Sequence, residues 1–256
     1  MDDNNKPNTI WQNYFSQPKL PNDRVHVWVI SLDLPTVKIN QLATFLSPDE
    51  VTRANKFNFI KHKKRFIAAR GILRQLLGNY LGINPNKIEF EYGDRGKPQL
   101  AVSMGNSCLQ FNVSHSQEYA LYGFTHNHSI GVDIEYLCGM RNVTELAKRF
   151  FTHKEFQLIA NLTDEEQQQK AFFQLWTVKE AYLKAIGVGL SGSLTDIEVT
   201  LNLVNHPELL AIQENTNAVI DWSMYHCIPV AKYIAAIIVN AQIPKQQINF
   251  WNCYQG

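Results

Sequence analysis

The sequence predicts an α+β fold made of two similar α/β lobes related by a pseudo-two-fold axis. Each half of the chain runs strand, helices, strands in the same order. Each half also holds one long helical stretch, near 62–81 and near 164–186, stopped by Gly82 and by Gly187. The length of 256 residues, 45% of them hydrophobic, is enough to bury a sizeable core. Nothing between the halves reads as a linker, and no strong internal repeat accompanies their likeness.

Residues 1–24, with Pro7, Pro18 and Pro21 among Asn and Gln, predict an irregular N-terminal extension pinned by Trp11, Tyr14 and Phe15. The first lobe is placed at 25–128 and the second at 129–256. Val25 to Ile30 is rich in β-branched residues and predicts a strand. Ser47-Pro48-Asp49-Glu50 is an N-cap with proline at the first helical position and acid in the first turn, so it opens a helix carrying Arg53 and Lys56. In the long helix 62–81, Phe66, Ile67, Leu73, Leu76 and Leu77 fall at helical spacing. Lys61, Lys63, Lys64, Arg65, Arg70 and Arg74 make a basic face, either solvated or clamping an anionic group. Ile88 to Tyr92 predicts a strand, and Gly93 to Pro98 a tight loop that lifts Lys97 out of the sheet.

Phe111 to Ser116 is expected as a loop, followed by a hairpin whose strands are Tyr119–Phe124 and 130–135. Its turn, Thr125–Ser129, carries His126 and His128 at the surface. The second lobe continues with a helix at 142–150, then Thr152 with Glu155 three residues on, a capping box. The long helix 164–186 stops at Gly187-Val188-Gly189-Leu190, and strands follow at 196–203, 218–227 and 232–240. Phe172, Phe173 and Trp176 have the spacing of packing residues.

Composition narrows the class. A net charge of +1 argues against a general nucleic-acid binder, and no run of about 18 apolar residues offers a membrane span. The polar, acidic start Met1 to Lys6 is unlike a secretory signal, so a cytoplasmic address is expected. Cys108, Cys138, Cys227 and Cys253 are scattered without zinc-site spacing and read as reduced thiols.

The chemistry concentrates in two acidic signatures. In Gly131-Val132-Asp133-Ile134-Glu135 the alternation puts Asp133 and Glu135 on one face of a strand. With Glu180 from the long helix they would suit Mg2+, which takes hard oxygen ligands and completes its shell with water and phosphate; Mn2+ accepts the same donors. Taken alone, an Asp-x-Glu strand is more often a solvated face. Ser114 and His115 could donate to phosphate, or could merely cap the next segment. Glu180 and Lys184 lie four residues apart on one helix face, where they can meet the same phosphates or form a surface ion pair worth about 0.5 kcal/mol.

Taken together and in order, Phe111-Asn112-x-Ser114-His115-Ser116, Gly131-x-Asp133-x-Glu135, Phe150-Phe151-x-x-x-Glu155 and Leu175-Trp176-x-x-Lys179-Glu180-Ala181-x-x-Lys184-x-x-Gly187 resemble the 4′-phosphopantetheinyl transferases. The likeness covers roughly residues 45–200 and is closest to the long, single-chain kind that serves surfactin synthetase; a cyanobacterial relative is expected. It implies transfer of the phosphopantetheine arm of coenzyme A to a serine of an apo acyl or peptidyl carrier protein, releasing 3′,5′-ADP, in an active site between the lobes. It implies Asp133, Glu135 and Glu180 as magnesium ligands, and Lys97, Ser114, His115 and Lys184 as coenzyme A contacts. Lys64 and Arg65 fall where the family holds the 3′-phosphate, and Arg53 beside the nucleotide. The general base is Glu180, directly or by way of a water on the metal, or else Glu155, with Glu180 ranked first. Glu50 departs from the pattern, standing where relatives often carry a basic residue.

The expected partners are coenzyme A and apo carrier proteins of fatty acid, polyketide, peptide or glycolipid synthesis, docking on segment 140–165, with no nucleic acid and no membrane. Two lobes in one chain predict a monomer. Two alternatives stay open at this point: a magnesium-dependent nucleotide phosphohydrolase, and a non-catalytic coenzyme A binding module.

Overall fold

The computed structural model describes residues 12–13, 19–93, 95–105, 108–189, 192–201, 208–212 and 216–252. The elements in chain order are β1 (Gln12–Asn13), β2 (Val25–Ser31), α1 (Thr36–Ala43), α2 (Pro48–Asn55), α3 (Ile60–Leu81), β3 (Phe90–Tyr92), β4 (Pro98–Leu100), β5 (Leu109–Ser116), β6 (Tyr119–His126) and β7 (Ile130–Tyr136). They continue with α4 (Val143–Phe150), α5 (His153–Ala160), α6 (Glu165–Ile186), β8 (Ile197–Thr200), β9 (Glu208–Ile212), β10 (Ser223–Cys227), β11 (Tyr233–Val239) and β12 (Ile248–Asn252).

Two sheets make the body of the fold. The first has the order β1-β12-β2-β6-β5, the second β10-β11-β7, and two-stranded ribbons β3-β4 and β8-β9 lie beside them. The period of two in each strand sorts the side chains into layers. Val25, Val27 and Val29 of β2 bury against Ile130, Val132 and Ile134 of β7 and against Tyr233 and Ile237 of β11, between the sheets. The opposite face of β2, with Trp28 and Ile30, packs with Tyr122 and Phe124 under Ala68, Ile72, Leu73 and Leu76 of α3. Ile234, Ala236 and Ile238 of β11 bury under Phe172, Leu175, Val178 and Ala181 of α6. Each sheet is therefore backed by one helix of 22 residues, and both helices end on a left-handed glycine, Gly82 at φ 69° and Gly187 at φ 78°.

Several sequence expectations change. Residues 109–116 form a strand, not a loop, and the hairpin is β5–β6, turned at Gln117 with φ 49°. Asn112, Ser114 and Ser116 give the strand its polar, loop-like look. They face β7, which pairs with β11 in the second sheet and not with β6. The expected strand at 218–227 opens as a 3-10 turn, Thr216–Asp221, with extended pairing only over Ser223–Cys227. Helix α1 and strand β12 carried no distinctive signal and were not anticipated. Gln12 and Asn13 of the N-terminal segment pair in parallel with Trp251 and Asn252. Trp11, Tyr14 and Phe15 lie outside the described residues. Among the described cysteines, Cys108 and Cys138 are free thiols.

Candidate active site

The site is built on the seam between the two sheets. Strand β7 pairs with β11 along one edge, and its other edge faces β5. There the link is made by side chains. The Val132 N–H donates to Asn112 Oδ1 (2.9 Å), Ser114 Oγ to Asp133 Oδ1 (2.8 Å), Ser116 Oγ to Glu135 Oε2 (2.8 Å) and the Tyr136 N–H to Ser116 Oγ (3.1 Å). Every second residue of β5 thus reaches across. Asp133 and Glu135 project from one face of β7, as their spacing required, and that face is turned toward α6.

How closely α6 lies is set by Gly131. A Cβ there would stand 1.8 Å from the Ala181 carbonyl oxygen, so strand and helix meet through their backbones. This contact brings Glu180 and Lys184 over the carboxylates of β7. Lys184 Nζ donates to Asp133 Oδ1 at 2.6 Å and to Ser114 Oγ at 2.8 Å. Asp133 Oδ2 and Glu180 Oε1 are buried and have no hydrogen-bond partner among the described residues.

The electrostatics follow from crowding. Burial, then the neighbouring Asp133 charge, raises Glu135 to about 7 against the bond from Ser116. The same two causes raise Glu180 to about 6, with Lys184 opposing. His115 is exposed as a residue, yet its ring sits among enough protein atoms that desolvation, followed by the Lys184 and Arg53 charges, holds it below its ordinary value.

Among the described residues no three acidic, His or Cys side chains converge to grip an ion as they stand. Lys184 occupies the Asp133 oxygen for which a metal would compete. The donor chemistry nonetheless fits a hard divalent cation. Among the described residues Asp133 and Glu180 each hold out a buried, unpartnered oxygen, and burial with the Asp133 charge beside it raises Glu135 above the ordinary carboxylate range.

The other sequence candidates are placed as follows. Lys97 Nζ donates to the Ala185 carbonyl (3.1 Å) and to the Ile130 carbonyl (3.4 Å), and burial lowers it to about 8. It stands in the wall of a cleft of about 430 Å³ lined also by Gly105, Phe111, Ser129, Ala185 and Gly187, beside the carboxylates and not over them. Lys64 Nζ donates to Thr36 Oγ1 at 3.2 Å, and exposed Arg53 lies over the Phe66 ring. Arg65 is engaged by Asp33 through two bonds of 2.6 Å, with Glu118 at 3.6 Å.

Glu155 is brought to a different place. It is 1% exposed, and both its oxygens are taken: Oε2 accepts from the Thr152 N–H (2.8 Å), Oε1 from the Val199 N–H (2.9 Å) and from Lys179 Nζ (2.8 Å). Lys179 also donates to the carbonyls of Leu194 and Ile197. This geometry gives Glu155 the work of a clamp between α5, α6 and β8. It offers no free oxygen for proton transfer. The sequence did carry a signal for the pair, Lys179 following directly on Leu175-Trp176-Thr177-Val178 in the long helical stretch.

Glu50 is explained in the same way. It is buried, accepting from Arg70 Nε and Arg74 Nε at 2.6 Å each and from the Ser47 N–H at 3.1 Å. The anion clamped by that part of the basic face of α3 is a side chain of the protein itself.

Comparison with known proteins follows this geometry. The profile of the 4′-phosphopantetheinyl transferase superfamily matches residues 129–238, and that of the 4′-phosphopantetheinyl transferase N-terminal region matches 35–124. The 4′-phosphopantetheinyl transferase HetI of Nostoc sp. is 44% identical over 227 residues, 87% of this chain and 92% of its own. A putative 4′-phosphopantetheinyl transferase of Synechocystis sp. is 37% identical over 183 residues, 72% of this chain and 73% of its own. The human L-aminoadipate-semialdehyde dehydrogenase-phosphopantetheinyl transferase is 34% identical over 167 residues, 62% of this chain and 54% of its own.

Proposed function

The chain belongs to the 4′-phosphopantetheinyl transferase superfamily, and on that premise we propose that it moves the 4′-phosphopantetheine group of coenzyme A onto a serine of an apo carrier protein, with Mg2+, releasing 3′,5′-ADP. The observation that carries the reading is the group of three carboxylates, Asp133, Glu135 and Glu180, gathered against Lys184 with two buried oxygens left unpartnered. A divalent cation would relieve that crowding of carboxylates and link them to an anionic substrate.

Asp133, Glu135 and Glu180 would hold the magnesium ion, which supplies neutralising charge to the pyrophosphate. Lys184, already resting on Ser114 and Asp133, would bind a pyrophosphate oxygen, with Ser114 and His115 beside it. Lys97 and the cleft it borders would receive part of coenzyme A, with Arg53, Lys64 and Arg65 toward the 3′-phosphate. The carrier serine oxygen attacks the phosphorus that bears the pantetheine, and a new P–O bond forms. The bond from that phosphorus to the bridging oxygen breaks, and 3′,5′-ADP leaves with the electron pair. The serine proton passes to Glu180, the carboxylate that α6 sets beside Lys184 and Asp133.

The two sheets, each backed by a 22-residue helix, support reading the chain as two lobes related by a pseudo-two-fold axis with one active site per monomer, the cut near 128 being crossed by β12, which returns to the first sheet. Segment 140–165, where Lys148 and Arg149 of α4 are exposed, is the proposed carrier-docking face.

The test is intact-mass measurement of purified apo carriers incubated with the protein, coenzyme A and Mg2+, with Asp133→Ala as control. Each modified carrier should gain one phosphopantetheine, and the variant should add none. Free phosphopantetheine without any modified carrier would indicate a hydrolase instead.

A further inference from the structure

The turn joining α2 to α3 carries a surface of which the reaction chemistry takes only Arg53 and Lys64. Residues 51–64 hold Arg53, Lys56, Lys61, Lys63, Lys64 and His62 and not one acid, in a chain whose net charge is only +1. Among these cations stand exposed apolar side chains: Val51 at 42%, Phe57 at 39%, Phe59 at 70% and Ile60 at 67%. We propose that this tip is a docking surface for an acidic, apolar-faced helix of the protein substrate. The proposal rests on the transferase reading and adds a second contact to it, on the first lobe.

Three features favour it. Phe59 occupies the N-cap position of α3 and makes no capping bond there. Ser, Thr, Asp or Asn would satisfy that helix end; Phe59 instead sets its ring edge-on to His62 of the first turn, with centroids 5.8 Å apart, and leaves 70% of its surface open. The tip also adjoins the site: Arg53 of the same segment lies near enough to His115 for its charge to be felt there, and His115 follows Ser114, the partner of Lys184. A protein offering its serine to that site comes within reach of this rim. Finally, the charge is available. Among the described residues no carboxylate is ion-paired with Lys56 or Lys63; Lys63 bonds the neutral Asn55, and Lys61 has Asp33 within electrostatic reach. A ring of cations around an apolar centre complements an amphipathic acidic helix, through steering as well as contact. A bilayer with anionic headgroups shares part of that chemistry but brings no serine to the rim.

The experiment uses the full chain with two double variants, Phe59→Ser with Ile60→Ser and Lys56→Glu with Lys61→Glu. Binding of a labelled apo carrier protein is followed by fluorescence anisotropy at low and high salt. Steady-state KM values for carrier and coenzyme A, kcat, Tm, and binding to phosphatidylserine vesicles are measured alongside. Each variant should weaken carrier binding and raise the carrier KM by about tenfold, with kcat and the coenzyme A KM unchanged. Tm should not fall for Phe59→Ser, because serine is the better cap. The charge-reversed variant should also lose most of the salt dependence. Carrier affinity unchanged in both variants would overturn the proposal, as would vesicle binding lost while carrier binding stays intact. If the unmutated protein binds a carrier but never modifies it, the transferase reading fails while the anisotropy comparison still decides the docking surface. If it binds no carrier at all, the docking surface falls too.

Discussion

Gly131 and Ala181 meet backbone to backbone, the strand glycine leaving only enough room for the helix carbonyl. The position of Glu180 and Lys184 over Asp133 depends on that contact. Gly131→Ala would drive a methyl group into the Ala181 carbonyl oxygen and the Ala185 nitrogen, neither of which can move without displacing α6. The expected loss is at least about 3 kcal/mol of unfolding free energy, at the upper end of overpacking. Gly139, with nothing within 4 Å of its added Cβ, is the control. Urea denaturation should show Gly139→Ala nearly unchanged.

Glu155 and Lys179 form a fully buried pair whose separation leaves one charge alone in the core. Lys179→Met should therefore lose about 3–5 kcal/mol, while Lys179→Met combined with Glu155→Gln recovers a good part of it. Gln at 155 keeps the capping box with Thr152. Chemical denaturation of the two singles and the double would measure the coupling. With Glu155 as clamp, kcat per folded molecule should survive Glu155→Gln.

Glu180→Gln should do the opposite. It removes a buried carboxylate that is repelled by Asp133, so Tm should hold or rise, while kcat drops by about 10²- to 10⁴-fold if Glu180 takes the serine proton. Thermal melting and single-turnover transfer, done on the same preparation, would separate the two effects.

Glu135 and Glu180 set a pH dependence. Their folded values, about 7 and about 6, stand above the ordinary carboxylate value of 4.5. The stability each gives as a protonated group is complete below 4.5 and is lost as pH rises through its folded value. Without divalent ions, Tm should fall between pH 5 and pH 7.5. An ion binding the charged carboxylates should restore it, so the Tm gain on adding Mg2+ should be larger at pH 7.5 than at pH 5.5. A scanning-fluorimetry grid of pH against Mg2+ and EDTA checks this, and an equal gain at both pH values would count against these ligands.

Glu50→Lys should not create a nucleotide contact. It would bury a third cation against Arg70 and Arg74, and the expected result is a loss of about 3–5 kcal/mol, visible as insoluble or early-melting protein. Arg74 would keep its bonds to the carbonyls of Pro85 and Ile88, which mark it as part of the frame.

Much of this molecule was legible in its sequence, for physical reasons that can be named. The helices α3 and α6 announced themselves through periodicity and a glycine stop. The alternation in 131–135 put Asp133 and Glu135 on one face, and the i, i+4 spacing put Glu180 beside Lys184. The seam was not legible, because Asn112, Ser114 and Ser116 alternate in a way that resembles a loop unless β7 is known to lie opposite. Nor did local pattern reveal which cations were already spoken for. Arg70 and Arg74 look like part of a phosphate clamp until Glu50 is seen to hold them, and Arg65 already bonds Asp33. Charges paired across distant segments leave no mark in a local window.

Strand β12 has a consequence in time as well as in space. Ile248 through Asn252 lie alongside Val25 through Val29, and Trp251 stacks on Trp28. Strand β2 therefore waits for a strand made far later in synthesis before its edge is closed. Pairing over so long a stretch of chain is the kind that slows the completion of a sheet. Until then the layer carrying Ser114 is unfinished, so a nascent chain that already contains every residue of the site still lacks a working one.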